Sequence, residues 1–379
     1  MYRRVFSRSI VKHEFTKIII KIIDNYFPNQ GNSILNASEL LQYLNIKTRA
    51  ANRGSKSRSG LANHYAIYVL VEDYINNEFH LKDGYDEYQG AQYMTLFRRQ
   101  RELPFGDKLQ NHALNHRLNQ EFKKYFPTLS YLPIIRDVKT NRYWINENLI
   151  KFYLEGNQVN IVLVIIDIID AYVQTRQKAF NQFISYCQQM IDIEQQDPQR
   201  AIEFIRSLLR PNIDARVFEI VSYAILKEYY GERKIYWGWS PDQLNSEYLL
   251  LYKTGRTNAN DGGIDFVMKP LGRFFQVTET IAADKYFLDI DKVQKYPITF
   301  VVKTEQTCEE ILEKVAEQAK IRYKIRAIVE RYLESVEEVI NIPELINRFD
   351  RVLAQGKGGA VITEMVLQSR IEFNLESEP

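Results

Sequence analysis

Cysteine is scarce in this sequence, which has only Cys187 and Cys308 among 379 residues. Two cysteines so far apart cannot form the disulfide framework of a small secreted domain, and their spacing does not match a metal site. We therefore expect two reduced thiols, buried as small hydrophobic side chains. Reduced thiols are typical of a cytoplasmic protein, which is the location we predict.

Long apolar runs are also missing. The most apolar stretch, NIVLVIIDIIDAYV at 160–173, is too short to cross a bilayer and contains two aspartates. The first residues, MYRRVFSRSIVKHEF, lack the apolar core of a secretory signal. We expect a buried helix at 160–173 and no membrane partner.

A surplus of charge of one sign is missing as well. Fifty Lys and Arg residues stand against 48 Asp and Glu residues, which gives a formal net charge of +2. Any contact with a nucleic acid must therefore come from local basic patches. Glycine and proline are few, at 16 and 11, and 45% of residues are hydrophobic, so the composition indicates a folded globular protein.

The hydrophobic pattern divides the chain into four predicted segments. Residues 1–150 are predicted to form a mainly helical domain, and residues 151–211 a helical bridge. The pattern changes at Pro211, and residues 212–305 combine helices with strand-like runs at 248–253, 263–268, 274–279 and 297–303. This order predicts an α/β (α+β) core. Residues 306–379 are predicted to be C-terminal helices that complete the fold or a dimer.

Two basic clusters lie in the N-terminal segment. The stretch ASELLQYLNIK predicts a short helix capped by Ser38, and the basic stretch KTRAANRGSKSRSG separates it from a second predicted helix, LANHYAIYVLVEDYI. This is the order of a helix-turn-helix unit, although the connection is longer than usual, and a solvated loop between two packing helices is the alternative. A second cluster lies in RRQRELPFGDKLQNH, where a solvated charged face is likewise the alternative to phosphate contact. The candidate DNA-binding residues are Lys47, Arg49, Arg53, Lys56, Arg58, Arg98, Arg99 and Arg101.

The stretch TGRTNANDGGIDFVMKPLGRFFQVTET, at 254–280, has the clearest chemical pattern. A turn-rich loop leads to Asp265 at the start of one strand, and FFQVTE forms the next, so the two should pair as a hairpin. Alternation puts Gln276 and Thr278 on one face, toward which Asp265 can converge. Upstream, the predicted helix RVFEIVSYAILKEYYG carries Glu219 beside an apolar face. A glutamate near a helix N-terminus is also favoured by the helix dipole alone.

Hydrolysis of a phosphodiester needs oxygen ligands that hold a divalent cation beside the scissile phosphate. The segment 212–305 resembles the PD-(D/E)XK nuclease superfamily, in which a helix bearing Glu precedes a hairpin carrying Asp and then an (E/Q)-x-K triplet. The Gly-Gly-Ile-Asp entry is similar to the Mrr-type variant of that motif. The resemblance implies that Asp265, Gln276 and Glu219 bind Mg²⁺ in a core with a mixed central sheet.

Thr278 stands where the triplet has Lys, a residue that orients or deprotonates the attacking water. Two substitutes are available nearby: Lys269 in the hairpin, which we slightly prefer, or Glu279 if the strand register slips by one residue. The resemblance implies a type II restriction endonuclease, similar to the ApaLI-like group, that cleaves double-stranded DNA as a homodimer. The alternatives are a non-catalytic DNA-binding protein on the same scaffold, or a helical interaction protein in which the hairpin is purely structural.

Overall fold

The computed structural model describes residues 12–49, 58–82, 84–106, 109–194, 197–254, 264–279, 281–293, 296–323 and 325–373. The chain divides into two compact units, Met1–Phe180 and Asn181–Pro379. The predicted mixture of helix and sheet is confirmed, because the described residues form many helices together with one five-stranded mixed sheet and smaller sheets.

The first unit consists mainly of helices around an apolar core. Its helices are α1 (Glu14–Tyr26), α2 (Gly31–Ala37), α3 (Glu39–Thr48), α4 (Arg58–Asn76), α5 (Tyr93–Glu102), α6 (Leu118–Tyr125), α7 (Glu147–Ile150) and the start of α8 (Val162–Glu194). The predicted cap of α3 is confirmed, since the Ser38 hydroxyl accepts a hydrogen bond from the Leu41 amide at 3.2 Å. No described helix combines the length and the apolarity that a bilayer crossing requires.

The first unit also contains strands that the sequence pattern did not predict, so the prediction that 151–211 is helical is wrong for its first ten residues. One sheet has the order β1-β3-β2, and β4 pairs with β5. Each of these strands has only two to four residues, which is too short for a clear period of two to appear in the sequence. The strands are β1 (Ala91–Gln92), β2 (Ile134–Asp137), β3 (Arg142–Ile145), β4 (Lys151–Leu154) and β5 (Asn157–Asn160).

The second unit is built around the five-stranded sheet, whose strand order is β12-β11-β10-β9-β8. Strands β8, β9 and β10 are antiparallel neighbours, whereas β11 and β12 continue the sheet in parallel. The strands are β6 (Lys234–Gly238), β7 (Leu244–Tyr248), β8 (Leu250–Lys253), β9 (Phe266–Lys269), β10 (Arg273–Thr278), β11 (Ile298–Val302) and β12 (Val336–Ile340). The helices after α8 are α9 (Pro198–Ser207), α10 (Ala215–Gly231), α11 (Ala283–Lys292), α12 (Cys308–Arg322), α13 (Arg326–Glu334), α14 (Ile342–Ala354) and α15 (Gly358–Phe373).

The four strand-like runs predicted between residues 248 and 303 are confirmed as β8 to β11. The prediction that residues 306–379 form helices throughout is wrong, because 336–340 forms strand β12 beside β11. The segment VEEVI follows α13 almost directly, so no glycine or proline marks the end of the helix. Only the pairing with β11 identifies this segment as a strand. The hairpin β6–β7 was also not predicted.

Aromatic side chains cover both faces of the sheet. On one face, Phe266 contacts Tyr223 of α10 at 5.2 Å between ring centroids. On the other face, Phe300 stacks on Tyr286 of α11 at 4.1 Å. We call these two sides the α10 face and the α11 face. Helices α10 and α11 therefore pack on opposite faces of the same sheet.

The two cysteines are free, as predicted. Cys187 is fully buried, and burial raises the pKa of its thiol to about 12. Cys308 is partly buried, and its Sγ donates to the Val339 carbonyl at 3.1 Å. A thiol with so high a pKa forms almost no reactive thiolate near neutral pH, so Cys187 acts as a small hydrophobic residue.

Candidate active site

One edge of the five-stranded sheet gathers most of the polar residues that the sequence singles out. Strands β8, β10 and β11 end at this edge, and β9 begins there. Lys253 ends β8, Asp265 precedes β9, Thr278 ends β10, and Lys303 follows β11. We call this edge the site edge. Ligands of sheet proteins commonly bind at the ends of such strands.

Asp265 lies where strands β9 and β10 separate. Its amide donates to the Phe275 carbonyl at 3.0 Å, and its own carbonyl accepts from the Thr254 amide at 3.0 Å. Its carboxylate oxygen Oδ2 accepts a hydrogen bond from the Val277 amide at 2.6 Å. The Asp265 side chain, and not a backbone carbonyl, thus accepts the hydrogen bond of the Val277 amide at the end of the β9–β10 pairing. This bond holds the Asp265 carboxylate beside the last residues of β10.

Gln276 supplies the second side-chain oxygen that could bind a cation at this position. Continuing the register Phe275↔Phe266 by one residue puts Gln276 opposite Asp265. The Gln276 side chain is 7% exposed, and its Nε2 donates to the Val277 carbonyl at 3.2 Å. Its Oε1 is buried and accepts no hydrogen bond from the residues that the structure describes. Leaving such an oxygen without a partner costs about 1–3 kcal/mol, so a bound cation or water would be favoured here.

The Asp265 and Gln276 oxygens suit a hard cation. Within the described ranges, no group of three or more His, Cys, Asp and Glu residues gathers as a metal site would require. That finding does not conflict with Mg²⁺, which keeps several waters and usually takes only one or two carboxylates together with substrate phosphates. One carboxylate and one amide oxygen therefore fit Mg²⁺ better than they fit Zn²⁺, which prefers nitrogen and sulfur ligands.

Glu219 approaches the sheet from the α10 face. Its Oε1 lies 3.0 Å from the Lys253 Nζ, and both side chains are nearly buried, at 6% and 9% exposed. The helix is fixed to β8 by the Tyr223 hydroxyl, which donates to the Leu251 carbonyl at 2.9 Å. Lys253 pairs with Phe266, the residue after Asp265. Glu219 is therefore joined to the site edge through a buried ion pair.

Thr278 lies on the opposite side, the α11 face, as does Gln276 two residues before it. The Thr278 side chain is 2% exposed, and its hydroxyl oxygen accepts a hydrogen bond from the Lys285 Nζ at 2.8 Å. An ammonium group therefore lies next to the position at which the sequence motif lacks Lys. No sequence pattern indicates Lys285, because it belongs to α11 and reaches Thr278 only in the folded chain.

The two substitutes proposed from sequence for the missing Lys have other positions. Lys269 lies at the opposite end of β9, about 13 Å from Asp265 at 3.3 Å per residue, and is exposed. That interpretation is corrected, because the strand is extended and carries Lys269 away from the site edge. Glu279 forms an ion pair with Lys303, whose side chain is 2% exposed and also donates to the Ile213 carbonyl at 2.6 Å. The pairing of β10 with β11 runs without a slip up to Thr278, so the alternative register is not present.

The first basic cluster is only partly available for binding. Lys47 is 9% exposed and forms an ion pair with Glu121 at 2.6 Å, so its assignment to DNA binding is corrected. The same carboxylate accepts from Asn63 at 2.7 Å, which ties α3, α4 and α6 together. Arg49 is exposed at the end of α3. The remaining members lie outside the described residues or have side chains that do: Arg53, Lys56 and Arg58.

The second basic cluster, on α5, is likewise only partly available for binding. Arg99 makes two hydrogen bonds of 2.8 Å to the Glu72 carboxylate and is therefore already paired. Arg98 and Arg101 are exposed, and Arg101 lies 5.8 Å from the centre of the Phe97 ring. Arg98 and Arg101 are thus the members of this cluster that can meet a phosphate.

Comparison of the chain with protein-family models, with curated proteins and with solved structures found no match.

Proposed function

We propose that this chain is a Mg²⁺-dependent deoxyribonuclease of the type II restriction class, built on a PD-(D/E)XK core. The observation that carries the proposal is the position of the Asp265 carboxylate, which the Val277 amide holds opposite Gln276, whose buried Oε1 has no hydrogen-bond partner among the described residues. A carboxylate and an amide oxygen at the point where two strands part can hold one Mg²⁺.

The order of the elements supports the same proposal. Helix α10 carries Glu219, strands β8 to β10 form an antiparallel sheet, α11 crosses over, and β11 adds in parallel. This agrees with the arrangement that the sequence motif implies, in which a Glu-bearing helix precedes a hairpin that carries Asp and the (E/Q)-x-K triplet. The proposed core therefore rests on topology as well as on the motif.

Several residues at and around the site edge have a role in this proposal. Asp265 and Gln276 hold the cation, which when bound lowers the pKa of a water ligand and offsets charge on the leaving oxygen. The Thr278 hydroxyl accepts a hydrogen bond from Lys285 and so positions this ammonium group at the site edge. Lys285 supplies the positive charge that Lys supplies in the usual triplet. The buried pair of Glu219 and Lys253 positions α10 against β8.

The proposed substrate is double-stranded DNA with a short specific sequence, and the proposed assembly is a homodimer because a palindromic target presents two scissile bonds. Arg49, Arg98 and Arg101 are the exposed candidates for phosphate contact. The two free cysteines support a cytoplasmic setting for such an enzyme. A membership in the ApaLI-like group remains part of this proposal.

Incubation of the purified protein with unmethylated phage DNA, with and without Mg²⁺, tests the function. We expect discrete bands on a gel only when Mg²⁺ is present. Intact DNA with reduced mobility would instead favour the non-catalytic DNA-binding alternative. Intact DNA with unchanged mobility would reject both and leave the hairpin with a structural role.

A further inference from the structure

The hairpin formed by β6 and β7 is unusually exposed, and we call residues 234–248 the ribbon. Its two strands pair antiparallel from Lys234↔Tyr248 to Gly238↔Leu244. Every residue of β7 is exposed, and so are four of the five residues of β6. In the described part of the chain, neither β6 nor β7 pairs with a third strand. Each strand of the ribbon therefore has an outer edge that can accept another strand.

The ribbon and the strand after it expose a concentration of large apolar side chains. With aromatic and leucine side chains of ~200 Å² each, their exposed parts add to about 800 Å². The register places Tyr236, Leu244 and Tyr248 on one face of the ribbon and Trp237 on the other, so this area is divided between both faces. Monomeric proteins seldom leave so much apolar surface uncovered without using it for an interaction. The side chains are Tyr236 (69% exposed), Trp237 (41%), Trp239 (93%), Leu244 (56%), Tyr248 (51%), Leu250 (49%) and Tyr252 (48%).

The ribbon has a defined conformation. A Cβ atom on Gly238 would lie 1.9 Å from the Gln243 carbonyl oxygen, so only glycine allows the strands to close at this point. The Lys234 Nζ lies 4.8 Å from the centre of the Tyr248 ring, which links the two strands at the base. An isolated two-stranded hairpin is only marginally stable in water. A covering partner would supply the packing that the ribbon lacks.

Charge indicates what kind of partner fits. Between residues 233 and 248, the positive Arg233 and Lys234 are balanced by Asp242 and Glu247. Both cations already lie over aromatic rings, Arg233 at 4.3 Å from the centre of the Tyr229 ring and Lys234 over Tyr248. The ribbon therefore has no surplus of cations for DNA phosphates, which dominate the affinity of DNA-binding proteins. A protein surface fits better.

The size and the symmetry of the patch favour a second copy of this chain. A standard protein interface buries about 800 Å² on each partner, which is about the total that the exposed side chains on both faces of the ribbon and on β8 offer. If β7 pairs antiparallel with β7 of a copy about Ser246, Leu244 faces the partner's Tyr248, and Asn245 faces the partner's Glu247. Apolar residues then meet apolar residues, and no like charges oppose each other. A single patch that is complementary to itself is what a two-fold dimer requires.

We infer that the ribbon is the dimer interface of this protein, through which two copies join by their exposed aromatic hairpins. The inference rests on the ribbon alone and does not depend on the proposed nuclease activity. Closure of this interface would bury Trp239, which is otherwise the most exposed of the seven side chains.

Sedimentation analysis of the full chain over a dilution series tests the inference. We expect the unmodified protein to have twice the monomer mass of 44.8 kDa, and Tyr236→Ser combined with Leu244→Ser to have the monomer mass. The matched control is Leu288→Ser combined with Ile321→Ser, which removes side chains that are 57% and 84% exposed on α11 and α12. This control should remain a dimer.

Tryptophan emission gives a second measurement that needs no destabilising variant. The emission of the unmodified protein should move to shorter wavelength as the concentration rises and Trp239 becomes buried, and Trp239→Phe should lose most of this shift. A monomer mass for the unmodified protein at every concentration would overturn the inference, as would a dimer that survives both ribbon substitutions. Ribbon variants that keep their mass but lose duplex DNA binding would assign the ribbon to DNA instead. DNA cleavage is measured separately, so either proposal can fail alone.

Discussion

The buried ion pair between Glu219 and Lys253 permits a test that separates stability from chemistry. The two side chains are 6% and 9% exposed, and their charged atoms are 3.0 Å apart. Replacing Lys253 with Met removes the ion-pair partner that lies 3.0 Å from the nearly buried Glu219 carboxylate. Replacing Glu219 with Met likewise removes the ion-pair partner of the nearly buried Lys253 ammonium group. We expect both single variants to be strongly destabilised.

The magnitude follows from the burial of the pair. Breaking a buried ion pair by removing one partner costs about 3–5 kcal/mol, whereas replacing both partners with apolar residues of similar size is often neutral or stabilising. For a unit of this size, a loss of that order lowers the melting temperature by roughly 10 °C. The double variant Glu219→Met with Lys253→Met should therefore recover most of the stability that each single variant loses.

Scanning calorimetry of the full chain measures this double-mutant cycle. We expect large single losses and a strong favourable coupling between the two positions. Single losses below about 1 kcal/mol would refute the reasoning, because they are typical of a solvent-exposed pair. The folded double variant also separates two roles of Glu219. If it retains DNA cleavage, Glu219 positions α10 only, and if it is folded but inactive, Glu219 also serves the proposed metal site.

Two further predictions concern residues whose roles the fold reassigns. Lys285→Gln should lower the cleavage rate by about 10²- to 10³-fold, as expected for loss of a charged group near the reacting phosphate. Thr278→Lys in that background should restore much of it, and Lys269→Ala should leave the rate unchanged. Equal losses in Lys269→Ala and Lys285→Gln, measured in single-turnover assays, would contradict this assignment. Lys47→Met should destabilise the first unit by about 3 kcal/mol without changing the salt dependence of DNA binding. Arg101→Ala should instead reduce the slope of the logarithm of the binding constant against the logarithm of the salt concentration by about 1. A reduced slope for Lys47→Met in filter-binding titrations would contradict the buried role of Lys47.

The elements that the sequence predicts well are those with a long or clear period. The capped helix α3 agrees with the structure because its apolar spacing and the Ser38 cap are local features. Strands β8 to β11 were recognisable because turn residues border each apolar run. Strand β12 was not, because VEEVI follows a helix directly and only β11 makes it a strand.

The candidate site was predictable only in part for a similar reason. The motif identifies Asp265 and Gln276 because two paired strands bring them opposite each other, and strand pairing can be inferred from sequence. The contacts of Lys285 with Thr278, of Lys253 with Glu219, and of Lys303 with Glu279 join residues on different elements. Such contacts depend on how helices pack on the sheet, which periodicity does not encode. Lys47 was misassigned because its sequence neighbours are basic, whereas its partner Glu121 is remote in sequence.

The most direct test of the central claim is DNA cleavage by Asp265→Asn in the presence of Mg²⁺. The matched control is Asp350→Asn, since Asp350 is an exposed carboxylate on α14 that pairs with Arg206 at 2.6 Å. We predict that the control produces the same discrete fragments from phage DNA as the unmodified protein. Asp265→Asn should bind the same DNA but leave it intact. Discrete fragments from Asp265→Asn at an undiminished rate would contradict the proposed active site.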